Sequence, residues 1–475
     1  MNDKIAANKK TILILILACI SIVFALLAVP SHNLTLMYTA NIIMFIFCIL
    51  FFWSNYRSNS AILFFFICYF IFLLGTASYY LKINNSAVFI SLSIVFVGFV
   101  SILAGFALKG TFTISIGSKK KTALNTWNLM YMSILGQISE LIFYLSFPFV
   151  VLVAFEKIIA VRSFGYIGLY TVYTSHLPTI VQKLAVVNTA AFFLFIATFP
   201  SKRKTYKAIV FYLLALTLDL LTGVRGNFAT GVLIIATYTF IRNSIFEVDH
   251  IFESKIFKIL LPILIIAIIF ILGITSALRQ NESGSGSVIS FISRFFNEQG
   301  GTFGTIVSTI EKQNQVHSMS QDYSFYSLIH CNSFFEKIYI YFHQNSYTNT
   351  RIDNNLGFTI TYLLDPIYYK SGGSFGTAYL GELYTDGKWL SVIIYNIFLG
   401  MILRNVADAS RRNAITLAYG LMIIKTLYFL PRDSCFSFVT TLISLTNFVT
   451  IIGIYFIANY IFGKENMSAT DDKGY

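Results

Sequence analysis

Charge is scarce in this 475-residue chain. Asp, Glu, Lys and Arg together make up 12% of it, about half the share found in soluble domains, which excludes an ordinary water-soluble globule. Cysteine is scarce too. There are five, and Cys19, Cys48 and Cys68 lie within apolar runs, where a thiol behaves as a small hydrophobe. Cys331 and Cys435 stand in less apolar stretches, and whether they pair stays open. No CxxC and no Cys/His ligand spacing occurs, so no metal site is expected. No glycine-rich loop runs on into the Gly-Lys-Ser/Thr of a nucleotide-binding P-loop, and no cofactor is expected. The first apolar run, TILILILACISIVFALLAVP, lacks a small-residue cleavage site and reads as a retained helix, not a removable leader. The two halves show no internal repeat of the kind many secondary transporters carry.

What the chain has is apolar length. Hydrophobic residues make up 56% of it, gathered in runs of about 17–25 residues, the length that crosses a bilayer as a helix. Twelve spans are expected, near 11–29, 35–53, 60–79, 86–107, 134–156, 181–199, 207–222, 227–242, 258–275, 388–404, 413–431 and 438–462. The fold class is therefore all-α. Residues 1–475 form a single polytopic membrane domain, and a large loop, 276–387, is inserted between spans 9 and 10. The net charge of +13 is unevenly spread, with Lys4, Lys9 and Lys10 at the start and GSKKKT, PSKRKTYK and SRRN in connections of the same side. That bias marks the cytoplasmic face, so both termini are expected inside. The basic excess is an orientation signal and an attraction to the inner leaflet, and no nucleic-acid partner is expected.

On this topology three arginines stand at the outer ends of spans: Arg225 in LDLLTGVRGNF, Arg279 in ITSALRQN and Arg432 in FLPRDSCF. One such arginine is an ordinary snorkelling side chain. Three at one depth point to a shared anion site, and Gly223, Gly226 and Asn227 around Arg225 let a ligand approach the backbone closely. Arg351, in NTRIDNN, is a weaker fourth. Two charges lie deeper. Asp219 precedes Arg225 by under two turns, and Lys425 precedes Arg432 by seven residues, on the same helix face. Charges at that depth need partners or water. An ion pair of Asp219 with Lys425 or Arg432 is one reading, and a role as base is another.

The long loop is not low-complexity. SVISFISRFFNEQGGTFGTIVSTI and FYSLIHCNSFFEKIYIYFHQ space their apolar residues as amphipathic helices do. The loop also repeats itself, with GGTFGT at Gly300–Thr305 and GGSFGT at Gly372–Thr377. Paired glycines next to a hydroxyl can expose backbone N–H groups to a phosphate or sugar. The second copy is the better candidate, because Gly372, Gly373, Ser374, Phe375 and Gly376 run on into Tyr379, Glu382, Tyr384 and Asp386 at the mouth of the next span. Glu382 is the carboxylate expected to abstract a proton, with Asp353 and His343 as second choices.

TGVRGNF at an outward hairpin, a large outer loop late in the chain and GGSFGTAYLGELYTDG leading into a span together resemble the O-antigen polymerases, the Wzy-type oligosaccharide repeat-unit polymerases of bacterial inner membranes. The architectural likeness runs the length of the chain, whereas its specific motifs are short. An outer-loop pattern of Arg, ten residues and Gly, discussed for some members, does not occur after Arg279 or Arg351. The resemblance implies a membrane glycosyltransferase of GT-C-like architecture. It would use an undecaprenyl-diphosphate-linked oligosaccharide as donor at the periplasmic face and work with a chain-length regulator protein. Arg225, Arg279 and Arg432 would grip the diphosphate, and the glycine turn with its tyrosines would shape sugar subsites. Two rival classes remain at this point: an O-antigen ligase, which would use the same donor, and a lipid-linked oligosaccharide flippase or other transporter.

Overall fold

The computed structural model describes residues 2–83, 85–111, 126–246, 288–320, 322–329, 338, 355–409 and 413–471. Secondary structure among them is helical, with no strand. In chain order the helices are α1 (Asn2–Ser31), α2 (Leu34–Trp53), α3 (Tyr56–Leu73), α4 (Ala77–Tyr80), α5 (Ser86–Thr111), α6 (Thr126–Thr171), α7 (Thr179–Ala197), α8 (Lys202–Leu221), α9 (Arg225–Ile245), α10 (Val288–Glu311), α11 (Gln313–Met319), α12 (Tyr323–Ile329), α13 (Leu356–Leu364), α14 (Pro366–Lys370), α15 (Tyr379–Ala409), α16 (Ala414–Leu427), α17 (Ser437–Leu442) and α18 (Leu445–Asp471). A single 3-10 turn, Leu430–Arg432, follows α16.

Nine helical segments among the described residues are long and apolar enough to cross a bilayer, which makes the chain a polytopic membrane protein. They coincide with nine of the twelve expected spans. Of the other three, 207–222 falls in α8, whose first turns carry Lys202, Arg203, Lys204 and Lys207. The run 413–431 falls in α16, which has 14 residues and is about 21 Å long at 1.5 Å per residue. The run 258–275 lies outside the described residues.

The chain divides into two units. The first, Met1–Thr111 with Phe252–Ala407 and Thr426–Val439, is built on α2, α3 and α5. The rings of Phe52, Phe66, Tyr69 and Phe99 interlock there, with Phe66 and Phe99 stacked at 5.5 Å. Polar side chains bind helix to helix across this apolar core. The Tyr69 hydroxyl donates to the Val95 carbonyl at 2.9 Å, and the Asn41 amide donates to Leu92 at 3.1 Å, bonds that no water competes for. Helices α5 and α15 touch backbone to backbone. A Cβ added at Gly105 would lie 1.9 Å from the Ile397 carbonyl oxygen, and one at Gly400 would lie 2.1 Å from that of Ile102. Small residues allow such contact between membrane helices.

The expected amphipathic helix of the long loop is α10. It packs on α3 and α5, burying Phe303, Ile306 and Val307. The second expected loop helix, 325–344, begins inside α12 (Tyr323–Ile329), and its remainder, with Cys331, lies outside the described residues apart from Ile338, which is helical. A smaller core of Val316, Tyr323, Leu356 and Ile360 joins α11, α12 and α13.

The second unit, Phe112–Ile251 with Asp408–Lys425 and Thr440–Tyr475, centres on α6 and α7. Asn188 in α7 donates to the Phe143 carbonyl in α6 at 2.7 Å, and Phe192 stacks on Tyr212 of α8 at 4.1 Å. Helix α6 breaks at Gly165, which has φ 73. Glu140 pairs with Lys204 at 2.6 Å, a half-exposed bridge worth less than about 1 kcal/mol.

Candidate functional site

In the first unit the residues between α16 and α17 meet the turn that opens α15. Arg432 closes the 3-10 turn, and its guanidinium Nη1 donates to the Glu298 carbonyl and to the Gln299 Oε1 of α10, both at 2.9 Å. The depth of α10 is set one residue later. Gly300 lies against the backbone of Thr76, where an added Cβ would be 2.6 Å from the amide nitrogen, and the Thr76 hydroxyl donates to the Gly300 carbonyl at 2.6 Å.

The second glycine motif lies beside this arginine. A Cβ built on Gly376 meets nothing nearer than Arg432 Nε, at 3.9 Å, so bare backbone faces a guanidinium. Gly372 and Gly376 take φ 88 and 85, conformations that glycine adopts without steric cost. The backbone of the turn is satisfied from within. Gly372 and Gly373 donate to the carbonyls of Tyr369 and Tyr368. Phe375 donates to the Thr361 hydroxyl and Gly376 to the Ser374 hydroxyl. Those four N–H groups are not aimed at an anion. The cation of this site is therefore Arg432 and not the turn. Phe375 is 42% exposed and its ring lies 5.5 Å from that of Tyr368, so the turn does present an aromatic face.

Glu382 ties the two halves of the site together. It is 1% exposed. Its Oε1 accepts the Thr377 hydroxyl at 2.9 Å, and its Oε2 accepts the backbone N–H of Cys435 at 2.8 Å. The Tyr395 hydroxyl donates to the Cys435 carbonyl, so the segment after Arg432 is held from both sides. Burial pushes the Asp433 carboxyl above its ordinary range, against the hydrogen bond from the Ser434 N–H. Burial, and then the charge of Glu382, push the Cys435 thiol well up, so it is not a ready nucleophile. Asp386 is committed elsewhere: it accepts the N–H groups of Tyr323 and Ser324, at 3.1 and 2.6 Å, and the Ser324 hydroxyl, capping α12. Tyr379 is fully buried and donates to Asn396 at 2.8 Å, a core position. Tyr384 is half-buried and edge-on to Trp389 at 5.4 Å.

The second unit holds the other expected residues. Gly223, with φ 86, makes the tight turn from α8 to α9, and an added Cβ there would strike the Tyr166 ring at 2.8 Å. Arg225 is the first residue of α9, half-buried, with Gly226 after it and Asn227 exposed. The Asn227 amide reaches Asp219 at 3.5 Å. The ammonium of Lys425 lies 5.7 Å over the Tyr212 ring, and among the described residues it forms no ion pair with Asp219. Arg279, Arg351, Asp353 and His343 lie outside the described residues.

Three features carried no role in the sequence reading. Gln299 and the Glu298 carbonyl hold Arg432, and only the fold brings them there. The third is Arg242, 1% exposed at the far end of α9. Its Nη1 donates to the Pro200 carbonyl at 2.7 Å, with the Thr205 and Tyr238 hydroxyls at 3.3 Å and the Phe246 ring 5.4 Å away. An arginine closing the apolar run TGVLIIATYTFIR was the available signal.

Residues 10–465 match the O-antigen polysaccharide polymerase Wzy family. The chain belongs to that family. No curated protein and no solved structure matches it. Wzy polymerases join oligosaccharide repeat units during O-antigen synthesis, so the chain is a multi-pass bacterial inner-membrane polymerase with glycosyltransferase-like activity on a lipid-linked oligosaccharide.

Proposed function

We propose that the chain transfers a growing glycan from undecaprenyl diphosphate to the terminal sugar hydroxyl of another lipid-linked repeat unit, at the periplasmic face. The family supports the polymerisation. The observation that carries the site is Arg432, its guanidinium clamped by α10 and turned to the bare backbone of Gly376. The bond that breaks joins the anomeric carbon to the diphosphate oxygen, and the bond that forms joins that carbon to the acceptor oxygen. Diphosphate already leaves readily, so the protein's main task is to absorb negative charge as it departs. A guanidinium suits this work, being planar, always charged and matched to phosphate oxygens. Arg225, at the first position of α9, is by its residue type a further candidate for diphosphate contact, as are Arg279 and Arg351, which lie outside the described residues.

Glu382 acts here by position. Its carboxylate holds Cys435, three residues beyond Arg432, to the start of α15. For it to accept a proton directly, the acceptor hydroxyl would have to displace Thr377 from Oε1. With that bond kept, the acceptor's proton goes to Asp353 or His343.

The test is the lipopolysaccharide of a strain lacking this chain. A ladder collapsed to core plus one repeat unit is expected, and complementation should restore it. Core without any repeat would favour a ligase or a flippase and would overturn the reading.

A further inference from the structure

Helix α15 breaks between its buried first turns and its long apolar stretch. At the break Lys388 has φ 53 and ψ −140, a region that glycine enters freely and L side chains avoid. Gly387, just before it, has φ −141 and ψ 19. Gly387 is a glycine for space, since an added Cβ would lie 2.8 Å from that of Ser391, and the lysine takes the costly backbone conformation. Ser391 holds the break, its hydroxyl reaching the carbonyl oxygens of Lys388, at 3.0 Å, and of Leu383.

The side chain has a defined seat. The Lys388 ammonium lies 5.0 Å over the Tyr384 ring, which meets Trp389 edge-on. Beyond the break, Leu390, Ile394 and Phe398 are 67%, 58% and 60% exposed and recur every four residues, as one lipid-facing stripe of a helix does. Before the break, Glu382 and Leu383 are buried. Lys388 therefore stands at the edge of this exposed apolar stripe, beside a Tyr and a Trp, the residue types that populate the headgroup level of a bilayer. Simple snorkelling does not account for it, since a lysine one or two residues away would snorkel without strain. Glycine at 388 would relax the backbone, so the lysine serves through its ammonium.

We propose that Lys388 binds the phosphate of an anionic membrane lipid, one whose headgroup carries no compensating cation. Tyr384 steadies the ammonium, and Trp389 lies beside the headgroup. The observations behind it do not involve Arg432, and it stands whether or not that arginine grips the donor.

Trp389 provides the readout. With Trp53 and Trp127 changed to Phe, it is the remaining tryptophan of the three. The full chain in phosphatidylcholine nanodiscs would be titrated with undecaprenyl phosphate, phosphatidylglycerol and inorganic phosphate while its emission is followed. A saturable change is expected with the anionic lipids over the zwitterionic host bilayer, much weaker with the inorganic ion. Lys388→Arg should retain it. Lys388→Gln and Lys388→Gly should each weaken it by about tenfold or more, the loss of a charge-assisted contact. Lys388→Gly should melt no lower than the parent, because it removes strain, so its lost binding cannot come from misfolding. A response to undecaprenyl phosphate alone makes this a carrier site, and a response to both lipids makes it a general headgroup site. Either result supports the proposal. Unchanged binding in Lys388→Gln or Lys388→Gly, saturation by inorganic phosphate at the lipid concentrations, or a lowered melting temperature in Lys388→Gly would overturn it.

Discussion

Gly300–Thr305 and Gly372–Thr377 differ at one residue in six, Thr302 against Ser374, yet they fold in different ways. The first lies inside α10, its N–H groups spent on the helix, with Gly300 pressed on Thr76 and Phe303 edge-on to Tyr80 at 5.5 Å. The second is a turn with two left-handed glycines beside Arg432. The flanks decide. VISFISRFFNEQ before the first and IVSTI after it carry one apolar face through the glycines, and that face has a home on α3 and α5. Before the second, Asp365 caps α14 by accepting the Tyr368 N–H at 2.9 Å, and α14 then ends at Lys370. The left-handed Gly372 follows two residues later, near the usual place for a helix-stopping glycine. Identical glycines therefore serve close packing in one copy and chain reversal in the other.

Substitutions can break or sharpen this contrast. Gly300→Val should have the largest effect. Its Cβ would lie 2.6 Å from the Thr76 nitrogen, and overpacking of this kind costs about 1–3 kcal/mol or more. The melting temperature of the purified protein should fall and its membrane level should drop. Next, Glu382→Ala strands the Cys435 N–H and the Thr377 hydroxyl, at about 1–3 kcal/mol, and should shorten the ladder. Glu382→Gln can serve both groups through its amide and should keep the ladder. Loss of the ladder in Glu382→Gln alone would make the carboxylate the base. Gly376→Ala forces an L side chain into the left-handed region at about 1–2 kcal/mol, yet it has room. Protein should accumulate while chains shorten. Gly301→Ala should have the smallest effect. It lies in the helix with nothing within 4 Å of the added methyl, so it should stabilise by up to about 1 kcal/mol. If Gly301→Ala were destabilising, the helical assignment of the first copy would fail.

The class of fold was legible because bilayer thickness sets a run length that the sequence records directly. Nine spans matched, while α8 and α16 differed for visible reasons, namely basic first turns in one and shortness in the other. The role of α10 was half legible. Its amphipathic period was plain, but its docking on α3 and α5 depends on where distant helices lie. Within the site, Arg432, Glu382 and the second glycine motif were each picked out by residue type, and the fold brings them together. What they do for one another could not be read. Glu382 was picked out as a base by its residue type, and sequence does not reveal that Cys435, 53 residues later, lends it an N–H. Gln299 was silent for the same reason, since an amide acquires meaning only from the guanidinium it meets.

The central claim is that Arg432, clamped beside Gly376, is a cation on which chain growth depends. Its most direct test is the lipopolysaccharide ladder of a strain carrying Arg432→Ala, with membrane level checked against wild type. The account predicts normal insertion and core plus a single repeat unit, with Arg432→Lys recovering short chains at best. A wild-type ladder from Arg432→Ala would contradict it.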